Sequence, residues 1–312
     1  MTEKRSPFFT VVIPTYRRPE MLKEAVSSVL SQSFVDFELI VVDDDPAGSG
    51  RSALGEIVDP RLEYIANDRG RGGAGTRNAG IFRAKGDWVA FLDDDDVWIR
   101  EKLSAQHRKI VEAGPDFGMI YTGYAVYDFA KREVIEERRC DSCDNGEQSV
   151  AKLLYRNYIG GFFSVAIRTD VLQAVGGLDE RFPALQDVDL YVRVAQRTAI
   201  TCVDEIMVLT RKDHSERITG NTAGKLMGNR LFWQKYRSEM RRDPRLMHRA
   251  ASRVFTFAVA SGDLRAALSS TPWLLAGLVV APGNMLSVVA RSLKSLMRFP
   301  PKRGALADNS GP

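Results

Sequence analysis

Phe91-Leu92-Asp93-Asp94-Asp95-Asp96-Val97-Trp98 sets four carboxylates in a row behind the short apolar run Asp87-Trp88-Val89-Ala90-Phe91-Leu92. That run has the length and composition of a buried strand. The acids therefore emerge at its carboxyl end, where open α/β sheets bind ligands. Two like charges about 4 Å apart repel by about 1 kcal/mol even in bulk water, and by more in a cleft. Four of them call for a cationic counterpart. A hard divalent cation supplies it and leaves coordination positions for phosphate oxygens. The plainer alternative is an acidic turn that also caps a helix beginning near Trp98.

Upstream, the same arrangement recurs. Phe8 to Ile13 is apolar and β-branched, and the loop Pro14-Thr15-Tyr16-Arg17-Arg18 leads to a helix with Pro19 in its first turn. Met21, Leu22, Ala25, Val26, Val29 and Leu30 repeat at three and four, giving one stripe to face a sheet. A second strand, Phe37 to Val42, ends on Asp43-Asp44-Asp45. A brief helix, a third strand over Leu62 to Ala66, a Gly-rich loop and a helix from about Ala74 to Ala84 lead to the strand before Asp93. The β-α-β-α-β-α-β order predicts a parallel sheet with right-handed crossovers, and both acid clusters fall on its same edge.

Downstream the regularity loosens. Trp98 to Ala113 reads as helix, Phe117 to Val126 as strand and Val150 to Asn157 as helix. A strand opens at Gly160-Gly161 and runs through Ile167, and a helix over Asp170 to Val175 stops at Gly176-Gly177. Leu190, Tyr191, Val194 and Ala195 mark an amphipathic helix, and Ile200 to Thr210 a strand. From Gly220 onward the pattern is helical, with breaks expected near Asp243-Pro244, Gly262, Pro272 and Pro282-Gly283.

Four segments in this order, Thr10 to Arg18, Val41-Val42-Asp43-Asp44-Asp45, Arg77-Asn78-Ala79-Gly80 and Phe91 to Trp98, resemble the family 2 glycosyltransferases of the GT-A fold. The resemblance covers roughly the first 215 residues. It implies an α/β nucleotide-diphospho-sugar transferase fold with a mixed sheet and flanking helices. The chain then divides into a GT-A domain over 1–218, a helical C-terminal region over 219–300 and a flexible tail over 301–312. The activity implied is metal-dependent, inverting transfer of a sugar from a UDP- or dTDP-linked donor. The acceptor is a hydroxyl of a glycan, a lipid-linked glycan or another glycoconjugate.

Residue by residue, the family's base-holding loop falls on Pro14, Thr15 and Tyr16, and its base-binding aspartate on Asp44. Asp43 and Asp45 then have room to act as turn formers. The family's DXD motif falls on Asp93-Asp94-Asp95: Asp95 ligates the metal, and Asp93 or Asp94 reaches the ribose or a second metal position through water. Mg²⁺ or Mn²⁺ suits all-oxygen ligation. Leu185-Gln186-Asp187-Val188-Asp189-Leu190 falls on the segment that supplies the general base, with Gln186 where a Glu is commoner, and Asp187 is the base. Arg77 faces a phosphate or the neighbouring acids. His214, within Arg211-Lys212-Asp213-His214, falls where relatives place a histidine near the metal or diphosphate. Arg211 and Arg217 are suited to close over the phosphates.

Two rival readings remain at this stage. Gly70-Arg71-Gly72-Gly73-Ala74-Gly75 fits the G-x-G-x-x-G fingerprint of NAD-dependent oxidoreductases, with Asp93 at about the right distance. The fingerprint belongs, however, to a first βα turn, and two βα units precede this one. The other rival is a catalytically silent scaffold that keeps nucleotide-sugar binding.

The formal charge of +4 hides an asymmetry. Twelve Arg or Lys between Arg237 and Arg303 stand against three acids, a balance of +9 that leaves −5 for the rest. Such a block suits an anionic membrane surface, nucleic acid or plain solvation. With a glycosyltransferase reading, nucleic acid drops out. Arg291, Lys294 and Arg298 with Leu293, Leu296 and Met297 then read as a helix for peripheral membrane contact, for a homodimer or for packing on the catalytic domain. Met1 to Pro7 carries charges and no apolar h-region, so no signal peptide is expected. The apolar run Trp273 to Ala281 is about half the roughly 20 residues a spanning helix requires. Three cysteines, Cys140, Cys143 and Cys202, make no paired framework and favour a reducing compartment. The expected location is cytoplasmic, peripheral on the inner face of the cell membrane if the basic helix binds lipid.

Overall fold

A computed structural model describes residues 6–141, 146–211 and 222–280. The chain opens with β1 (Phe9–Thr15), α1 (Pro19–Leu30), β2 (Phe37–Asp43), α2 (Arg51–Leu54), β3 (Leu62–Ala66), α3 (Gly72–Ile81) and β4 (Trp88–Phe91). All four strands are parallel, in the order β3-β2-β1-β4. The chain winds outward from β1 to β3 and then returns past β1 to β4. The crevice at the carboxyl ends of β1 and β4 is thus the switch point at which such sheets take ligands.

β1 is buried at every position except Pro14. Its two faces serve different layers, as a strand covered on both sides must. Phe9, Val11 and Ile13 join the apolar cluster formed with Leu22, Val26 and Val29 of α1. Val12 points the other way, beneath α3, where Gly80 lies so close that a Cβ there would stand 2.5 Å from Val12 Cγ1.

The second half of the sheet is mixed. β5 (Val97–Trp98), α4 (Lys102–Ala113), β6 (Phe117–Asp128), β7 (Glu133–Arg138) and α5 (Gly146–Tyr155) come first. A 3₁₀ turn over Phe162–Ser164, β8 (Val165–Arg168), α6 (Thr169–Ala174), α7 (Gln186–Ala195) and β9 (Ala199–Arg211) follow. The sheet continues β4-β8-β6-β9-β5, with β8 antiparallel to both neighbours, β6 parallel to β9, and β7 hung off β6. This is the mixed α/β sheet with flanking helices that the resemblance implies, whereas the element order alone predicts only its parallel half.

Two local expectations need correction, and one strand has no sequence signal. The helix expected from Trp98 begins only at Lys102, because Val97 and Trp98 pair with Leu209 and Val208 of β9 and Trp98 Nε1 donates to Phe163 O at 2.9 Å. β7 has no apolar alternation to betray it: all six residues are exposed, and the edge of β6 alone dictates its conformation. The strand expected from Gly160 is shorter, since Phe162–Ser164 forms the 3₁₀ turn.

The chain divides into two compact units, Met1–Glu180 with Gln186–Ser215, and Arg181–Leu185 with Glu216–Pro312. The second unit holds α8 (Thr222–Lys235), α9 (Arg237–Met240), α10 (Pro244–Ser261) and α11 (Leu264–Val280). Asp243 caps α10 by accepting from Arg245 N, and Gly262 ends it in the left-handed conformation at φ 76°. Leu226, Val254, Ala258, Ala266 and Ala267 form its apolar centre. α11 runs through Pro272 where a break is expected. Burial of Ala266, Ala267 and Leu274 offsets the one backbone bond the proline removes. The break expected at Pro282-Gly283 and the basic helix around Arg291, Lys294 and Arg298 lie outside the described residues. Among the described residues no helix is long and apolar enough to cross a membrane.

Gly80→Ala should lower stability by about 1–3 kcal/mol in urea denaturation, because Val12 stands in the way of the new methyl. Adding Val12→Ala should restore part of the loss, which a double-mutant cycle reads directly.

Candidate active site

The four acids after β4 do not act as one group. Asp94 is buried and turned toward the loop after β1, where its carboxylate accepts from Thr15 Oγ1 at 2.8 Å, Tyr16 N at 3.4 Å and Arg18 Nη1 at 3.2 Å. Burial pushes its pKa up to about 6, against the pull of the Thr15 hydrogen bond and the Arg18 charge. Asp94, one of the two residues assigned to the ribose, thus joins β1 to β4. Asp93 instead accepts from Arg77 Nη2. Burial raises the Asp93 pKa, and the Arg77 charge opposes the rise. Asp95 accepts from Arg18 Nη1 at 3.2 Å.

Asp93, Asp95 and Asp96 each offer a carboxylate oxygen within 4.8 Å of the others. An all-oxygen set of this kind fits a hard divalent cation such as Mg²⁺ or Mn²⁺. Two arginines, Arg18 and Arg77, already meet part of the acids' charge. With all four acids ionised, two formal negative charges remain over, which is what a divalent ion neutralises. Asp96, which the sequence reading leaves out, also accepts from Arg211 N at 3.3 Å and so ties β9 to the cluster. Arg211 itself ion-pairs with Glu24. His214 and Arg217 lie outside the described residues.

At the end of β2 the three acids separate by role. Asp43 is fully buried and accepts from Asp45 N, Gly50 N and Tyr64 Oη at 2.9, 2.7 and 2.7 Å. Asp45 accepts from Ala47 N and Arg17 Nε, and Arg17 holds it below the usual carboxylate range. Both are turn formers. Asp44 accepts on Oδ1 from Asn67 Nδ2 at 2.9 Å and Arg71 N at 2.7 Å, and on Oδ2 from Gly72 N at 2.9 Å. A carboxylate has about four lone-pair sites, so Oδ2 keeps one for a further donor. Arg71 and Gly72 supply the amides at the start of α3 that a dinucleotide pyrophosphate would need in the Gly70–Gly75 loop. Asp44 occupies them, which counts against the oxidoreductase reading.

Pro14 and Thr15 close β1 beside Val42 and Asp43 of β2. Tyr16 stands 50% exposed with the Arg17 guanidinium 5.0 Å from its ring centre. The Thr15 hydroxyl is taken by Asp94, so toward a ligand Thr15 offers backbone and Tyr16 offers a ring face.

Arg77 links this edge to α7. It projects from α3, donates from Nη1 to Gly73 O at 3.1 Å and stacks 4.5 Å from the centre of the Phe162 ring. Asp187, in the first turn of α7, accepts from Asn157 Nδ2 at 3.0 Å. It lies within electrostatic reach of Arg77 and Asp93, and burial raises its pKa. Tyr191, one helical turn on, is wholly buried, and among the described residues neither its hydroxyl nor Arg77 Nε has a hydrogen-bond partner. Asp189 is paired with Arg193 at 2.9 Å. The structure thus brings Arg77, Asp93 and Asp187 together. Arg18, Asn157 and Tyr191 were not singled out beforehand. Arg18 sits within a quoted motif, Tyr191 shows only as part of an apolar stripe, and Asn157 carries no sequence signal.

Residues 10–159 match the model of the family Glycosyl transferase family 2. An uncharacterized glycosyltransferase of Haemophilus influenzae is 29% identical over 195 residues, 62% of this chain and 63% of that protein. The UDP-Glc:alpha-D-GlcNAc-diphosphoundecaprenol beta-1,3-glucosyltransferase WfgD of Escherichia coli is 33% identical over 117 residues, 38% of this chain and 46% of that protein. The matches thus span less than two thirds of these relatives. Among solved structures, the mannosyltransferase PcManGT of Pyrobaculum calidifontis, in complex with GDP-Man and Mn²⁺, superposes with a TM-score of 0.57 at 19% identity. The superposition covers 95% of this chain and 88% of that one. The fold is GT-A.

Thr15→Val removes a donor from a buried carboxylate that has few others. We expect a loss of about 1–3 kcal/mol in thermal or urea denaturation, with Thr15→Ser retaining most of the wild-type stability.

Proposed function

We propose, for a chain that belongs through its residues 10–159 to glycosyl transferase family 2, that it transfers a sugar from a nucleoside diphosphate donor to a hydroxyl acceptor with inversion. The observation that carries the reading is the convergence on Arg77: it holds Asp93 at the switch point and lies within electrostatic reach of Asp187. That convergence supports a site in which the acid-rich strand end lies near a buried carboxylate suited to proton abstraction.

The geometry is in keeping with the roles that the resemblance implies. The free lone pair of Asp44 accepts an N–H of a pyrimidine base, and the Tyr16 ring stacks on it, with Pro14 and Thr15 closing the pocket. Asp93 accepts from a ribose hydroxyl. Asp93, Asp95 and Asp96 are the residues that would hold the divalent ion, and the resemblance adds His214 as a further ligand. When bound, the ion neutralises charge on the departing nucleoside diphosphate. Arg77 holds Asp93 in place and adds positive charge at the same spot. Asp187 accepts the proton of the acceptor hydroxyl as its oxygen forms a bond to the anomeric carbon. The bond from that carbon to the diphosphate oxygen breaks, and the nucleoside diphosphate leaves with the electron pair. Asn157 orients the Asp187 carboxylate through the 3.0 Å hydrogen bond. UDP- and dTDP-sugars both suit the base pocket. A glycan or lipid-linked acceptor is in keeping with the name of the E. coli relative.

Three measurements test this. Asp187→Asn should retain donor binding and lower transfer by about 10²–10⁴-fold; unchanged turnover would remove Asp187 from the chemistry. Because burial raises the Asp187 pKa, transfer should begin to fall with acidification at a higher pH than the ordinary carboxylate value of about 3.9, and Asp187→Asn should flatten that limb. In a thermal-shift screen, a UDP- or dTDP-sugar should raise Tm with Mn²⁺ present and much less with chelator. A chelator-insensitive response to NADH alone would instead favour an oxidoreductase.

A further inference from the structure

A cleft of about 330 Å³ opens beside the proposed base, lined among others by Thr122, Tyr124, Arg138, Arg139, Arg156 and Asn157. Asn157 belongs to both places, since it lines the cleft and donates to Asp187 Oδ2 at 3.0 Å. Among the described residues the lining holds three guanidinium groups and one acid, Asp141, which pairs with Arg156. We infer that this cleft binds an anionic group of the acceptor, a phosphate or a carboxylate, and so sets the acceptor hydroxyl against Asp187. The inference rests on the transfer reading above and adds to it the chemical class of the acceptor.

Three observations support it. Arginine carries a planar fork of donors that matches tetrahedral phosphate and planar carboxylate, often with two bonds at once. The present partners of these arginines are replaceable: Arg138 pairs with Glu136 at 2.7 Å, Arg139 with Glu137 at 3.5 Å and Arg156 with Asp141, every side chain but that of Asp141 about half exposed. Pairs so exposed contribute little, so an incoming anion displaces them easily. The wall is also fixed in advance. Cys140 N donates to Asp204 Oδ1 at 3.0 Å and Cys140 Sγ to Val203 O at 3.1 Å, while Asp141 N donates to Tyr121 Oη at 3.2 Å.

The test titrates the full chain, in chelator, with three probes of like size: glucose 1-phosphate, glucuronic acid and methyl glucoside. We expect at least one charged probe to bind about tenfold or more tightly than the neutral one, and which of the two does so identifies the anion. Replacing Arg138, Arg139 and Arg156 together by Gln should abolish that preference. Should the triple variant fail to fold, Arg156→Gln alone should reduce it several-fold. Equal affinity for charged and neutral probes, or a charge preference that survives loss of the arginines, overturns the inference. The Tm response to nucleotide sugar and Mn²⁺ should be the same in all these variants as in the wild type. Absence of that response in the wild type defeats the transfer reading and leaves the anion result to stand on its own.

Discussion

Four carboxylates at the end of one strand repel one another, and the surrounding structure is arranged to contain that repulsion. Arg18 reaches across from the loop after β1 to Asp94 and Asp95, and Arg77 reaches down from α3 to Asp93. Each arginine also fixes a piece of chain. Arg18 pins the β1 loop to β4, with Thr15 and Tyr16 bound to the same Asp94. Arg77 pins α3 across the strand ends. Fold and site are therefore not separate achievements here, because the contacts that neutralise the acids also set the walls of the cleft.

The sheet order explains why these groups meet. β1 lies between β2 and β4, so its carboxyl end touches both acid clusters. Strand pairing brings Thr15 beside Asp43, and Asp44 N donates to Thr15 O at 2.8 Å. The close approach at Gly80 lets α3 lie low over Val12, which places Arg77 within reach of Asp93. A larger residue at that one position would lift the helix and the guanidinium with it.

The first four strands were legible in the sequence because their cause is local. Their apolar runs are continuous, the helix between β1 and β2 carries a stripe at helical spacing, and the turns hold Gly, Pro and Asp. β3 lies at Leu62–Ala66, as the run predicts. Elements whose cause is distant were not legible. Val97 and Trp98 are strand because β9 lies beside them, and β7 is strand because β6 has an edge to fill. The site divides along the same line. Asp93, Asp95, Asp44 and Arg77 sit in motifs that chain order alone sets out. Asn157 meets Asp187 only because the turn after α5 folds over the start of α7, thirty positions on. Asp94 was legible as an acid but not as a tie between strands, since burial and the hydroxyl of Thr15 decide its role.

Asp44 has a consequence for anyone who alters it. Its carboxylate is the socket into which the first turn of α3 plugs, through Arg71 N and Gly72 N, and α3 is the arm that carries Arg77. On the proposed reading, in which Asp44 accepts from the base, recognition and leverage share a single hinge pin. A substitution there made to alter nucleotide preference would also loosen the arm, so it calls for a second change that re-anchors the helix.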